Sequence, residues 1–152
     1  MLFIIIHQTS ELWMKLILHE LSAAIDSIRR DQLEPTFMML ARVSRILVQL
    51  IQSWDVLSTL TPSKCMQFRG QLGYASGFQS VQNRLIEFAS DKNRRLVDMF
   101  RDRPEEWERL NRAIQEPRIY DVSLQAGLCF PSQRGGGMIG GVPRCRPVSG
   151  FV

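Results

Sequence analysis

Phe3-Ile4-Ile5-Ile6-His7-Gln8-Thr9-Ser10-Glu11-Leu12-Trp13 runs four large apolar residues into an imidazole, with a carboxylate one helical turn beyond it. A histidine at the edge of such a run is either a packed core residue or a proton-handling group held in a dry pocket. Working outward, Trp13, Met14, Ile17, Leu18, Leu21, Ala24, Ile25 and Ile28 recur at three- and four-residue steps. That period predicts a helix from about Ile6 to Arg30 with a broad apolar stripe. It places His7 and Glu11 on one face, and Glu11 and Lys15 at the i, i+4 spacing of a surface ion pair. His19, beside Glu20, reads as a surface or boundary residue.

The rest of the chain to Tyr120 also reads as helical. Asp31 to Pro35 is a break, with Pro35 or Thr36 opening a second helix. Leu40, Val43, Leu47, Leu50, Trp54 and Leu57 then follow in alternating steps of three and four, the seam of helices packed almost parallel or antiparallel. Ile46, Val48 and Ile51 widen that stripe, which predicts burial on more than one side. Thr61 and Pro62 fit the N-cap and first position of a third helix, about 62–72. It sets Cys65, Phe68, Arg69 and Leu72 on one face. An arginine there either snorkels to water or a carboxylate, or clamps an anion through two parallel hydrogen bonds. Gly73 to Phe78 is a glycine-bearing loop, and a fourth helix runs roughly 79–90. From 91 to 118, mixed charges with helical apolar spacing predict a solvated bundle face, which Pro104 divides into two short helices.

Composition sets bounds on function. With 152 residues, 45% of them hydrophobic, the chain suits one all-α bundle domain. Its net charge of +4 is mild and spread evenly, which argues against a nucleic-acid partner. No apolar run reaches about 18 residues, so no membrane span is expected. Cys65, Cys129 and Cys145 show no CxxC spacing, which favours a reducing, cytoplasmic setting and argues against structural zinc. The apolar start flush with Met1 lacks the basic region and cleavage site of a signal peptide. It suggests instead a chain that once began further upstream. Residues 121–152 hold seven glycines and three prolines with no surviving period, and read as a disordered tail. A phosphate loop is not expected there, since no lysine follows Lys92.

Several separated stretches, in order, resemble the tryptophan 2,3-dioxygenase family. They are Phe3 to Trp13, Leu60-Thr61-Pro62-Ser63, Met66, Phe68-Arg69, Ser76-Gly77-Phe78-Gln79-Ser80, Gln82, Arg84, Ile86-Glu87-Phe88, and Glu116 to Asp121. The resemblance implies an N-terminal part of an all-helical, haem-dependent, homotetrameric enzyme over residues 1–120, followed by a tail unlike the family. Such enzymes insert both atoms of O2 across the indole C2–C3 bond of L-tryptophan, giving N-formylkynurenine, the first step of the kynurenine pathway. Carried over, Phe3 packs on the indole, within a substrate-binding run Phe3, Ile4, Ile5, Ile6 and His7. His7 takes a hydrogen bond from the indole N–H and Arg69 holds the substrate carboxylate. Ser76 and Gly77 lie near the distal face of haem b. An imidazole that accepts an indole N–H must be neutral, which burial favours.

Three departures accompany the likeness. Cys65 stands where the family usually has a tyrosine that assists the carboxylate clamp, and a thiol is a shorter and weaker partner. The family's proximal haem ligand and its glycine- and threonine-bearing loop belong to the half not matched here. His7 and His19 are the only histidines, and neither is placed to be that ligand. The expectation is therefore a fragment without turnover on its own, joined near Asp121 to a tail that reads as a frame change or aberrant splice. A non-catalytic helical interaction module using the Leu40–Leu57 seam is the alternative.

Overall fold

The computed structural model describes residues 1–64, 66, 70, 80–90 and 97–127, and every element among them is helical. The first helix, α1, spans Leu2–Arg29, about 42 Å at 1.5 Å per residue. It starts four residues earlier than the apolar period predicted. Ile5 N–H donates to the Met1 carbonyl at 3.1 Å, so the helix takes in the whole Phe3–Ile6 run without a side-chain cap. The buried stripe is Met14, Ile17, Glu20, Ala24, Ser27 and Ile28. Trp13, one residue or 100° away from Met14, falls off it and is 37% exposed. His19 is exposed, as its neighbours led one to expect.

What ends α1 is a hydrogen-bonded reversal rather than the proline. Asp31 adopts φ 58, the left-handed region that aspartate tolerates better than most residues. Its N–H donates to Ile28 O at 3.0 Å, and the Gln32 N–H reaches back to Ser27 O at 3.0 Å. This pair of bonds is a Schellman motif, which satisfies two carbonyls left open by the helix end. Helix α2 then spans Leu33–Leu57, opening two residues before the predicted Pro35. Pro35 sits in the first turn, where a missing N–H leaves no intrahelical bond unmade. Thr36 Oγ1 donates to Gln32 O at 2.8 Å.

Helices α1 and α2 form an antiparallel hairpin around Ile17, Val43 and Ile46, with Leu16, Leu21, Leu50 and Ile86 packed on them. The α2 seam is therefore rotated from the sequence expectation. Ile46 is buried, whereas Leu47 is 40% and Trp54 62% exposed. Among the described residues α1 covers one side of α2, burying Ile46, and leaves Val48, Ile51 and Trp54 exposed. One ion pair crosses the hairpin: Arg42 Nη1 donates to Glu20 Oε1 at 2.5 Å, with the Glu20 side chain 8% exposed.

The other elements close on the same long helix. Pro62–Lys64, Met66 and Gly70 have helical backbone, while Cys65, Phe68, Arg69, Leu72 and the Gly73–Phe78 loop lie outside the described residues. Helix α3, Val81–Ser90, begins where Ser80 Oγ accepts the Asn83 N–H at 3.2 Å. Its buried Arg84 pairs with Glu87 one turn on. A 3-10 turn at Asp98–Phe100 and helix α4, Pro104–Gln115 with its proline at the start, build a second core. That core is Phe88, Val97, Phe100, Leu110 and Ile114, and the Arg103 guanidinium lies 4.5 Å from the Phe100 ring centroid. The expected break at Pro104 is thus observed.

Helix α5, Ile119–Gln125, crosses the boundary that the sequence placed at 120/121. Asp121 accepts from both the Arg118 N–H at 3.1 Å and Arg118 Nε at 3.2 Å. This local cap starts a helix where glycine content alone suggested a tail. Val122 packs on Ile28 in a third core, beside Ile25, Leu33, Ile119 and Ala126, and Gly127 at φ 74 ends the helix. The expectation of disorder for 128–152 lies outside the described residues. Among those described, no helix is long and apolar enough to cross a membrane.

Two stability measurements check this packing. Arg42→Ala leaves the Glu20 carboxylate buried without its cation, and chemical denaturation should show a loss of about 1–3 kcal/mol. Adding Glu20→Leu should recover most of that loss. A chain cut after Tyr120 should unfold at lower denaturant than one cut after Gly127, by about 1–2 kcal/mol for the lost Val122 burial.

Candidate functional site

His7 lies on the second turn of α1, half-buried, with its ring held from both sides. Its Nδ1 is 2.8 Å from the Phe3 carbonyl one turn earlier. The Phe3 ring lies against the imidazole, centroids 3.9 Å apart and planes tilted by 31°. A carbonyl oxygen only accepts, so Nδ1 carries the proton in this bond and, in the neutral ring, Nε2 is the acceptor. The helix backbone thereby selects the tautomer, and the aromatic neighbour limits ring rotation.

The imidazole opens onto a depression of about 500 Å³ lined by His7, Gln8, Glu11, Leu12, Lys15 and Gln82. This is a groove between α1 and the start of α3, more open than the enclosed pocket that the apolar run suggested. Four consecutive residues of a helix fan out by 100° each, so the Phe3–Ile6 run cannot face one way. Phe3 and Ile6 are partly buried, while Ile4 is 51% and Ile5 50% exposed. Of the expected substrate-binding run, the structure brings Phe3 and His7 into contact and turns Ile4 and Ile5 outward. Arg69, Ser76 and Gly77 lie outside the described residues.

One contact in the groove was not foreseen. Gln82 Nε2, at the start of α3, donates to Glu11 Oε2 at 2.5 Å and to the Glu11 carbonyl at 3.0 Å. Where the spacing pointed to Lys15 as the partner of Glu11, the carboxylate takes an amide from another helix. The partners are 71 residues apart, and no local pattern signals such a pair. Gln82 stood out only as one position in the family likeness. A larger cleft of about 630 Å³ between α1, α3 and α4, bordered by Arg29, Arg109 and Arg112, contains none of the expected site residues.

Haem is implied by the family likeness, so the available donors need to be weighed against it. His7 and His19 are twelve residues apart on one helix, about 18 Å along the axis, and cannot bracket a single iron. His19 stands on the exposed surface. No group of three or more His, Cys, Asp or Glu side chains converges among the described residues. The described residues thus offer no bis-histidine or multi-ligand iron site.

Among the described residues every element is helical, and the first helix offers an oriented imidazole beside an aromatic ring. The profile of the family "Tryptophan 2,3-dioxygenase" matches residues 1–135. A protein of that name from Geobacillus thermodenitrificans is 63% identical over 127 residues, covering 83% of this chain and 45% of its own length. One from Bacillus thuringiensis (strain Al Hakam) is 58% identical over 127 residues, with 83% and 46% covered. One from Ralstonia pickettii is 51% identical over 126 residues, with 82% and 45% covered. The chain belongs to the tryptophan 2,3-dioxygenase family. It spans about half the length of the curated relatives it matches. The match runs past Asp121, where the likeness seemed to stop, and so agrees with the position of α5.

The tautomer is open to direct measurement. Nitrogen-15 spectra of the imidazoles at neutral-to-alkaline pH should show His7 with a protonated Nδ1 and an unprotonated Nε2. His19, with no such bond, should show the Nε2-protonated form that free imidazoles favour. A His7 ring protonated on Nε2 instead would contradict the Phe3 carbonyl contact.

Proposed function

We propose that this chain carries the substrate-side part of a tryptophan 2,3-dioxygenase, with residues 1–120 and helix α5 forming the N-terminal portion of that domain. The observation that carries the reading is the His7 ring, fixed by the Phe3 carbonyl with Nε2 left to accept. An indole N–H is a single donor on a flat apolar ring, and an acceptor beside an aromatic face suits it. Phe3 packs against the indole and His7 takes its N–H. Ile6, partly buried on the same helix, extends the apolar surface around the ring. Arg69 grips the substrate carboxylate through its forked guanidinium, with Cys65 a weaker aid than a tyrosine.

In the complete enzyme of the family, haem b supplies the oxygen chemistry, the indole C2–C3 bond is cleaved by O2, and N-formylkynurenine is the product. Ser76 and Gly77 belong near its distal face in this reading. Both histidines of the chain are accounted for without an axial ligand, so the 152-residue chain alone is proposed to be inactive. The homotetramer and the cytoplasmic setting belong to the same proposal, supported respectively by family membership and by three cysteines without disulfide or metal spacing.

The test is spectroscopic. The purified chain with haemin should give a Soret band that shifts on adding L-tryptophan, with no N-formylkynurenine absorbance. His7→Ala and Arg69→Ala should each abolish the shift while circular dichroism shows unchanged helicity. Product formation, or a shift that persists in both variants, would overturn the assignment.

A further inference from the structure

The groove beside His7 holds a carboxylate that the proposed substrate contacts leave unused. Glu11 follows His7 by four residues, so helix geometry sets the two side chains on one face, about 6 Å apart at their bases. Left to itself, a carboxylate in that position attracts a proton onto the imidazole. The resulting imidazolium donates from both nitrogens and offers no acceptor to an indole N–H. The structure shows the carboxylate engaged elsewhere. Gln82 on α3 donates to Glu11 Oε2 at 2.5 Å and, from the same nitrogen, to the Glu11 carbonyl at 3.0 Å. The second bond anchors the amide to the backbone of α1, which fixes where the first one points.

We infer that Gln82 is a positioning residue that holds the Glu11 carboxylate away from His7 and so keeps the imidazole a neutral acceptor. An amide suits the task because it satisfies the carboxylate without adding a further charge to the groove that Glu11 and Lys15 already line. Lysine or arginine at 82 would put a cation there and alter the field at His7 directly. Among the described residues lining the groove, Glu11 and Lys15 are the charged ones. Lys15 lies four residues beyond Glu11 and competes with His7 for the carboxylate once it is released. From α3 the group facing Glu11 in this groove is Gln82, which does not titrate.

The purpose of this device rests on the proposed role of His7. Its readout, however, is the charge on the imidazole in the ligand-free chain. Tryptophan binding can therefore fail while the device is present, and the reverse.

The test is a double-mutant cycle read by imidazole nitrogen-15 shifts, with His19 as the internal control. In the otherwise unchanged chain, Glu11→Gln should leave the protonated fraction of His7 at a given pH where it was. Gln82→Met removes the donor at similar volume, and in a Lys15→Gln background the freed carboxylate should raise the protonated-to-neutral ratio of His7 about 1.5- to 2-fold, as an i, i+4 pair does. Adding Glu11→Gln should cancel the rise, and His19 should not respond. Gln82→Ala is the second variant should methionine perturb packing. If neither Gln82 variant raises the ratio while helicity is retained, the inference fails. It also fails if Glu11→Gln lowers the ratio equally with Gln82 present, because the carboxylate then acts on His7 despite the amide.

Discussion

Ile17, wholly buried at the middle of α1, is the constraint on which the remaining elements depend. It is the contact point for Val43 and Ile46 of α2, and the cluster it anchors also receives Ile86 of α3. Ile28, eleven residues further along the same helix, receives Val122 of α5. One continuous helix thus serves as the spine for three others. The site uses the same spine at its opposite end. His7 inherits its orientation from a helix already held by the hairpin, and the α3 segment packed against the middle of α1 is also the one that delivers Gln82.

The polar contacts divide into two kinds by their surroundings. Pairs such as Arg29–Asp26 and Arg112–Glu108 are well exposed and contribute a few tenths of a kcal/mol each. Glu20–Arg42 differs because the carboxylate is buried while the guanidinium reaches it from solvent. Such a contact adds less to stability than to specificity: it penalises any arrangement of α1 and α2 in which Glu20 is buried without Arg42. Gln82–Glu11 plays the corresponding part between α1 and α3.

Much of this fold was legible because periodicity is a local property. The stripe from Met14 to Ile28, the proline-started α4 and the break near Asp31 all follow from spacing and turn chemistry within a few residues. The rotation of the α2 seam was not legible. Leu47 and Ile46 are equally apolar, and only the position of α1 decides which one faces it. Helix α5 was hidden for another reason: its cap is a side-chain contact between Arg118 and Asp121, while the glycines that follow dominate any compositional reading. At the site, the sequence singled out Phe3 and His7, and helix geometry explains their contact. It did not reveal that Ile4 and Ile5 turn outward, since a run of like residues gives no direction until one face is chosen. Gln82 carried no signal of its role, because a pair joined across two helices leaves no pattern in either one.

The reversal at Asp31 has a consequence for how this chain can vary. Two backbone bonds, Asp31 to Ile28 and Gln32 to Ser27, leave no slack between the end of α1 and the start of α2. One residue added or removed between Arg30 and Leu33 would turn α2 by about 100° relative to α1. Val43 and Ile46 would then be carried away from Ile17, and Arg42 from Glu20. Substitution at Asp31 is limited by its φ of 58, which glycine and asparagine also tolerate. Variation among natural relatives should therefore appear here as changes of residue at constant length, with insertions confined to connections that do not set the phase of a packed helix.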